Sequence, residues 1–434
     1  MRAFRALLLA MPLAQLPSLP QLPVPVPLDL GRSVGDVTDR LSQRPLAELR
    51  RLRVRELLRT QRRLVEPDPD GEPIVRNEVL AYSPSADVLS LAVAAGFAVV
   101  REREIAGLDA KVVVLSAPPK MPTRRALAKL RQLDPVGIYD FNHLYISSGE
   151  VASHAMPSTL PVQNPSRAPV SQGAPPAVRV GLVDGGVDAS HPVFEGVVIH
   201  RHGCGDRPVP SPHGTAVASL IAGHAGKFQG GAPGAELYAA DIYCDRPTGG
   251  AMDDIAEAIG WIVGQKVPVI NVSLVGPKNA LLEGVVRAAS ARGHLIVAAV
   301  GNDGPAARPL YPAAYPDVVG VTAVDVKQRV LLEACRGPHV DFAAPGADMA
   351  AAILSSAYSP VRGTSFAAPL VASLLAAQLH DPDKAAAQEA VASLARLAVD
   401  LGDKGVDTVY GSGLVGSSLR IDPSLAKASP DPAK

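Results

Sequence analysis

Short apolar runs at Val178–Val183, Glu236–Asp241, Val267–Ser273, His294–Val300 and Val318–Val324 govern what the second half of this chain can become. Helical patterns at His213–His224, Ala251–Gln265 and Leu281–Arg292 lie between them. Runs apolar on both faces suit strands covered on both sides, as in parallel sheets. The alternation therefore predicts an α/β fold with a doubly wound, mostly parallel sheet. Apolar residues make up 47% of the chain but aromatics only 4%, so the core is expected to rest on Ala, Val and Leu. Ligands of such sheets bind at the carboxyl ends of the strands, so polar residues there come first.

The first half is organised differently. Met1–Arg5 is basic and Ala6–Ala14 apolar, the pattern of an export signal. Pro12, Pro17, Pro20, Pro23, Pro25 and Pro27 break any helix long enough to span a bilayer, so residues 15–30 read as a polyproline-like spacer. An uncleaved signal acting as an anchor is the competing reading. Within segment 31–75, the stretch Val37–Arg63 interleaves arginines with leucines and reads as a basic amphipathic helix. Such a helix either touches a membrane or partner, or packs one face on the next domain. Over 76–147 the order is strand (Glu78–Tyr82), helix (Pro84–Ala95), strand (Phe97–Arg101), strand (Lys111–Leu115), helix (Pro122–Leu133), strand (Ile138–Tyr145). Ser83 is the expected N-cap of the first helix. That β-α-β-β-α-β order is that of a small ferredoxin-like α+β module. Residues 148–176 lack periodicity and read as a linker open to proteolysis, 177–420 as the main domain and 421–434 as a tail.

Three polar residues stand where the main domain's strands end or its helices begin. Asp184 follows Val178–Val183 and precedes Gly185-Gly186; His213 opens His213-Gly214-Thr215; Ser365 lies in Gly363-Thr364-Ser365-Phe366-Ala367 before a long apolar helix. A serine hydroxyl attacks only if a base takes its proton. Imidazole suits that task near neutral pH, and a buried carboxylate orients it. Asn302, after strand His294–Val300, supplies an amide donor for a developing oxyanion alongside the Ser365 backbone N–H. Gly363 leaves room for a substrate backbone.

These segments, in the chain order Asp, His, Asn, Ser, resemble the motifs of the subtilisin-like serine proteases. Val269–Leu274, Arg336–Gly346 and Asp400–Gly413 match as well, so the resemblance runs over roughly Val178–Val415. It implies a serine endopeptidase with Asp184 as orienting carboxylate, His213 as base then acid, Ser365 as nucleophile and Asn302 as oxyanion donor. It also implies a cleft lined by Ser273, Leu274, Val275, Ala299, Val300 and Gly301, which pair with an extended peptide as added strands. The module at 76–147 resembles the family's propeptides, which implies a zymogen inhibited by its own prodomain and cut within 148–176. Ala216 replaces a second His, Val275 a frequent Gly and Val300 a frequent Ala. Leu310 stands where a small residue often opens the specificity pocket, so small or medium side chains are expected before the cut bond.

Other classes fit less well. Lys+Arg and Asp+Glu are equal at 42 each, which gives no push toward nucleic acid. An α/β-hydrolase esterase needs Gly-x-Ser-x-Gly and the order Ser, Asp, His. His200, His202 and Cys204 match no standard metal spacing, and no cofactor is expected. Family members often bind structural calcium, but no dense carboxylate loop points to it here. Cys204 and Cys244 either pair or stay reduced, with Cys335 buried as a small apolar group. The expected protein is secreted or periplasmic and monomeric. It acts on proteins or peptides, with membrane contact only through an uncleaved signal or the basic helix. The alternative is a non-catalytic peptide-binding or chaperone-like protein on the same fold.

Overall fold

The computed structural model describes residues 46–147, 149–151 and 178–426. The expected export signal and spacer, most of the expected linker and the end of the expected tail lie outside them. All described residues belong to one compact unit, 45–434.

The chain begins with helix α1 (Leu46–Thr60), β1 (Val65–Pro67), β2 (Pro73–Tyr82), α2 (Ala86–Ala94), β3 (Ala98–Ile105), β4 (Ala110–Ser116), α3 (Thr123–Leu133) and β5 (Ile138–Ser147). The antiparallel sheet runs β5-β2-β4-β3, with β1 along β2. The predicted β-α-β-β-α-β order is present. The helix cap is not where sequence reasoning put it: Ser85, not Ser83, accepts from the Val88 N–H. Ser83 has φ 44° and makes the turn before the helix.

One face of this sheet packs on its own helices through Val79, Val113, Leu115, Ala126, Leu127 and Leu130. The other face presents Leu80, Ile105, Val112 and Val114, which share a core with residues of the main domain. A side chain on Gly107 would meet the Gly260 carbonyl at 2.4 Å, so the two regions touch backbone to backbone.

After β6 (Glu150–Val151) come β7 (Arg179–Asp184), β8 (Ile199–His202), α4 (Pro212–Ala222), the hairpin β9 (His224–Ala225) and β10 (Phe228–Gln229), β11 (Glu236–Asp241), β12 (Gly250–Ala251), α5 (Met252–Gly264), β13 (Val269–Val272), β14 (Leu274–Val275), α6 (Ala280–Ala291), β15 (Leu295–Ala299) and β16 (Val318–Val324). Then follow β17 (Phe342–Pro345), β18 (Met349–Ala352), β19 (Tyr358–Arg362), α7 (Thr364–Ala376) and α8 (Lys384–Leu397). The central sheet has seven strands, ordered β17-β16-β15-β13-β7-β11-β8, and every pair is parallel. Strands β13 and β15 are buried throughout. Apolar cores lie on both faces, one with α4 and α7, the other with α5 and α6.

Candidate active site

Asp184 is the last residue of β7 and His213 the second residue of α4. Ser211 caps that helix by accepting from the Gly214 N–H, and Pro212 presets its first turn. The helix start presses on the turn after Asp184 so closely that a Cβ on Gly214 would lie 2.1 Å from the Gly185 oxygen. Only glycine permits this approach. It brings His213 Nδ1 to 2.9 and 3.0 Å from the two Asp184 carboxylate oxygens. Asp184 is 1% exposed and also accepts from the Gly185 N–H. The carboxylate therefore fixes the ring orientation and directs Nε2 toward the cleft. His213 Nε2 is buried and has no hydrogen-bond partner among the described residues.

Ser365 is the second residue of α7, after Gly363, whose φ of 136° only glycine adopts without strain. Pro369 lies one turn on, inside the helix. It has no N–H to give the Ser365 carbonyl. That carbonyl instead accepts from Ser273 Oγ at 3.0 Å, and Ser365 Oγ donates to the Ser273 carbonyl at 3.2 Å. Asn271 Nδ2 donates to Ser273 Oγ at 2.9 Å. The Ser365 turn is thus fastened to the end of β13 by a reciprocal pair of bonds. The ring of Phe366, next in sequence, lies 5.4 Å from the His213 ring. His213 and Ser365 share one rim of the sheet without a hydrogen bond between their side chains. Catalytic contacts of this kind are often made only when substrate is engaged.

Asn302 is 6% exposed, and its Oδ1 accepts from the Thr364 N–H at 3.1 Å. With the oxygen engaged, the amide NH2 is the group able to donate. Gly301 donates to Thr364 Oγ1 and has φ 99°. Asp303 beside it is buried, and burial raises its carboxyl above the usual range against the pull of Arg50.

Leu274 and Val275 carry a guest strand, and that guest is the chain itself. β5 lies antiparallel to β14, with Leu274 opposite Ser147 and Val275 opposite Ile146. On its other edge β5 pairs with β12, Gly250 opposite Tyr145 and Ala251 opposite Leu144. Ala299 and Val300 are buried in and beside the central sheet and do not pair with β5. Sequence reasoning missed the Gly250–Ala251 edge; two small residues carry no periodic signal. Tyr145 is fully buried, and its hydroxyl donates to the Pro277 carbonyl at 2.9 Å. Leu310 is 5% exposed, and a Cβ on Gly301 would meet it at 2.5 Å.

Helix α1 reaches this cleft. Leu49, Arg50 and Arg53 border a small cavity with Ser147, Gly149 and Asn302. The Arg50 guanidinium bridges Glu72 and Asp303, the latter at 3.2 Å. Of the two readings given to the basic helix, packing on neighbouring structure describes its Leu57 and Leu58, which lie against Val65 and Leu144. A second anchor joins β3 to α5. Arg101 and Arg103 donate to Asp253 Oδ2 at 2.7 and 2.9 Å, and Asn142 Nδ2 donates to Asp253 Oδ1 at 2.9 Å. Burial alone would raise the Asp253 carboxyl, but the two arginines hold it below its ordinary range.

Cys204 and Cys244 form a disulfide, S–S 2.11 Å, while Cys335 is free and buried. Burial pushes its thiol up to about 12. The Cys204, Asp241 and Cys244 cluster has metal-like spacing, but its sulfurs are spent in the disulfide. Among the described residues no helix is long and apolar enough to cross a membrane.

Residues 176–413 match the Subtilase family. Among curated proteins, the chain is 34% identical over 207 residues to the minor extracellular protease Epr of Bacillus subtilis (strain 168), covering 47% of this chain and 32% of that protein. It is 32% identical over 246 residues to subtilisin DY of Bacillus licheniformis, covering 55% of this chain and 88% of that protein. The chain spans about half the length, or less, of the first curated relatives it matches. The fold matches that of fervidolysin from Fervidobacterium pennivorans, described as a keratinolytic enzyme related to subtilisin. The TM-score is 0.65 at 23% identity, covering 85% of this chain and 63% of that one. The parallel sheet, the histidine–carboxylate pair and the serine at the start of α7 agree with these matches: the chain belongs to the subtilase family, peptidase family S8.

Proposed function

We propose that the protein is a serine endopeptidase, made as a precursor, that hydrolyses peptide bonds of extended protein segments through an acyl-enzyme. Ser365 Oγ attacks the carbonyl carbon and His213 Nε2 takes its proton. Asp184 holds the imidazole and stabilises its cationic form, and Asn302 with the Ser365 N–H receives the oxyanion. His213 then delivers the proton to the departing amine, and water repeats the cycle to free the acyl group. The carrying observation is the Asp184–His213 pair at 2.9 Å on the rim where Ser365 is fastened to Ser273. The reaction requires Ser365 Oγ to exchange the Ser273 carbonyl for the His213 imidazole.

The antiparallel sheet of residues 65–147 serves as the chain's own inhibitor, since β5 fills the edge where a substrate strand would pair. Leu310 packs against Gly301, which supports a preference for small or medium side chains before the cut bond. The basic-apolar start of the sequence and the Cys204–Cys244 bridge support export to an oxidising compartment, secreted or periplasmic. The test is hydrolysis of an unfolded protein such as casein. The matured wild-type should cleave it and Ser365→Ala should not, with both variants melting alike. A folded wild-type protein that binds peptides without cutting them would replace this reading with a binding module.

A further inference from the structure

Strands β8 and β11 run parallel at one edge of the central sheet, with His202 opposite Ala240. Three groups with metal-ligand chemistry stand at or just past their carboxyl ends: Cys204, Asp241 and Cys244. In the oxidised protein Cys204 Sγ lies 3.2 Å from Asp241 Oδ2. Asp241 Oδ1 accepts from the Tyr243 and Cys244 N–H groups at 2.9 and 3.1 Å, which holds the carboxylate with its second oxygen toward Cys204. One ligand atom from each of the three residues falls within 4.8 Å of the other two. Reagents can reach them. Both cysteines are half-buried, and two cavities, of about 290 and 410 Å³, share His202, Gly203, Cys204 and Asp241 in their walls. A disulfide by itself gives a carboxylate nothing to bind, whereas two thiolates and a carboxylate are a donor set for a tetrahedral ion.

We propose that, once this disulfide is reduced, Cys204, Cys244 and Asp241 bind one thiophilic divalent cation of the zinc class, with water in the fourth position. The site is independent of the peptidase reading. A dithiol supplies the reduction: its thiolate attacks one sulfur, and the other cysteine leaves as a thiolate. The second thiol of the reductant then displaces the remaining cysteine from the mixed disulfide. The reductant ends as a disulfide and the protein, two electrons richer, as two thiols. The cation takes both sulfurs as thiolates and releases their two protons to water. A tetrahedral ion with Zn–S bonds of about 2.3 Å holds two sulfurs about 3.8 Å apart. Side-chain rotation over the 5.2 Å span between the two Cα atoms can supply that separation. The occupied site joins the turn after β8 to the turn after β11, as the S–S bond does, and the second turn leads to β12 at the edge of the cleft. One clasp thus closes by either chemistry: a disulfide where conditions oxidise, a metal thiolate where dithiols prevail.

The experiment takes the full-length Ser365→Ala protein, used to keep the chain whole, reduces it with a phosphine, desalts it under nitrogen and titrates it with cobalt(II). The reduced protein should take up one equivalent, with thiolate-to-cobalt charge-transfer and tetrahedral d–d bands that zinc(II) bleaches by binding more tightly. The oxidised protein should show no such bands. Neither should the reduced Cys204→Ser, Cys244→Ser double variant, which keeps Cys335. Asp241→Asn retains an oxygen for the Tyr243 and Cys244 N–H groups, and it should weaken cobalt binding at least about tenfold. Zinc should raise the melting temperature of the reduced protein and leave that of the oxidised protein unchanged. A reduced protein without cobalt bands, folded or not, overturns the proposal. Equal bands in the double variant, which place the metal on Cys335, also overturn it, as does an unchanged affinity in Asp241→Asn. Where a variant fails to fold, the reduced and oxidised parent proteins alone decide, since only the former should take up the ion.

Discussion

Asp253→Asn should loosen the grip of the cut N-terminal region on the enzyme by a predictable amount. Asp253 is fully buried and takes three side-chain donors from that region: Arg101 Nε, Arg103 Nε and Asn142 Nδ2. Breaking a buried ion cluster from one side costs roughly 3–5 kcal/mol. Here the arginines are 32% and 26% exposed, so water recovers part of that, and Asn keeps one accepting oxygen. A net loss of about 2–3 kcal/mol corresponds to a dissociation constant about 30- to 150-fold weaker. In the freed enzyme Asp253 merely sits in the first turn of α5, where its loss costs only about 0.3–1 kcal/mol. The change should appear mainly in the off-rate. The assay is dilution of the processed complex with dissociation of the N-terminal fragment followed directly, alongside the lag before peptide hydrolysis. Arg101→Met and the double variant complete a cycle, in which contacting partners should be non-additive. If Asp253→Asn dissociates within about threefold of wild type, or if the two changes add, the cluster does not hold the complex together.

Arg50→Met should shorten the activation lag about tenfold, because α1 then loses the cation that ties it to buried Asp303 at the cleft. kcat/KM of the matured enzyme should be unchanged, since Arg50 is no longer part of it; a changed kcat/KM with an unchanged lag would refute this. Asp341 gives a pH effect. Burial raises its carboxyl from 3.8 to about 6 against one backbone hydrogen bond from Gly320. The folded state thus holds a proton that the unfolded state has lost, so stability falls as pH rises from about 4 to 6 and then levels. Asp341→Asn should remove that fall and gain about 2–3 kcal/mol over wild type at pH 7, but little at pH 3.5. Urea melts of the Ser365→Ala background across that range check it, and a pH-independent difference would contradict it.

The sheet, and the positions of the residues proposed to react, were legible because each carries a local signature. β13 and β15 read as apolar runs, and Asp184 and Asn302 follow such runs at strand ends. His213 and Ser365 sit at helix starts marked by Ser211-Pro212 and by Gly363. What escaped depends on partners far off in sequence. Asp253 and Asp254 are sufficiently explained locally as acids in a first helical turn, whereas Arg101 lies 152 residues from Asp253. Strand β12 exists only because β5 lies beside it. Arg50 looked like one of many arginines on a basic helix until Glu72 and Asp303 enclosed it. The expected cap at Ser83 failed by two residues, since Ser85 satisfies the same orphan N–H from a better backbone conformation.

Labelling with a fluorophosphonate, followed by peptide mapping, tests the central claim most directly. The matured protein should carry a single adduct on Ser365, lost in Ser365→Ala and strongly slowed in Asp184→Asn and His213→Ala. A folded, processed protein that stays unlabelled, or takes the label on another serine, would contradict the account.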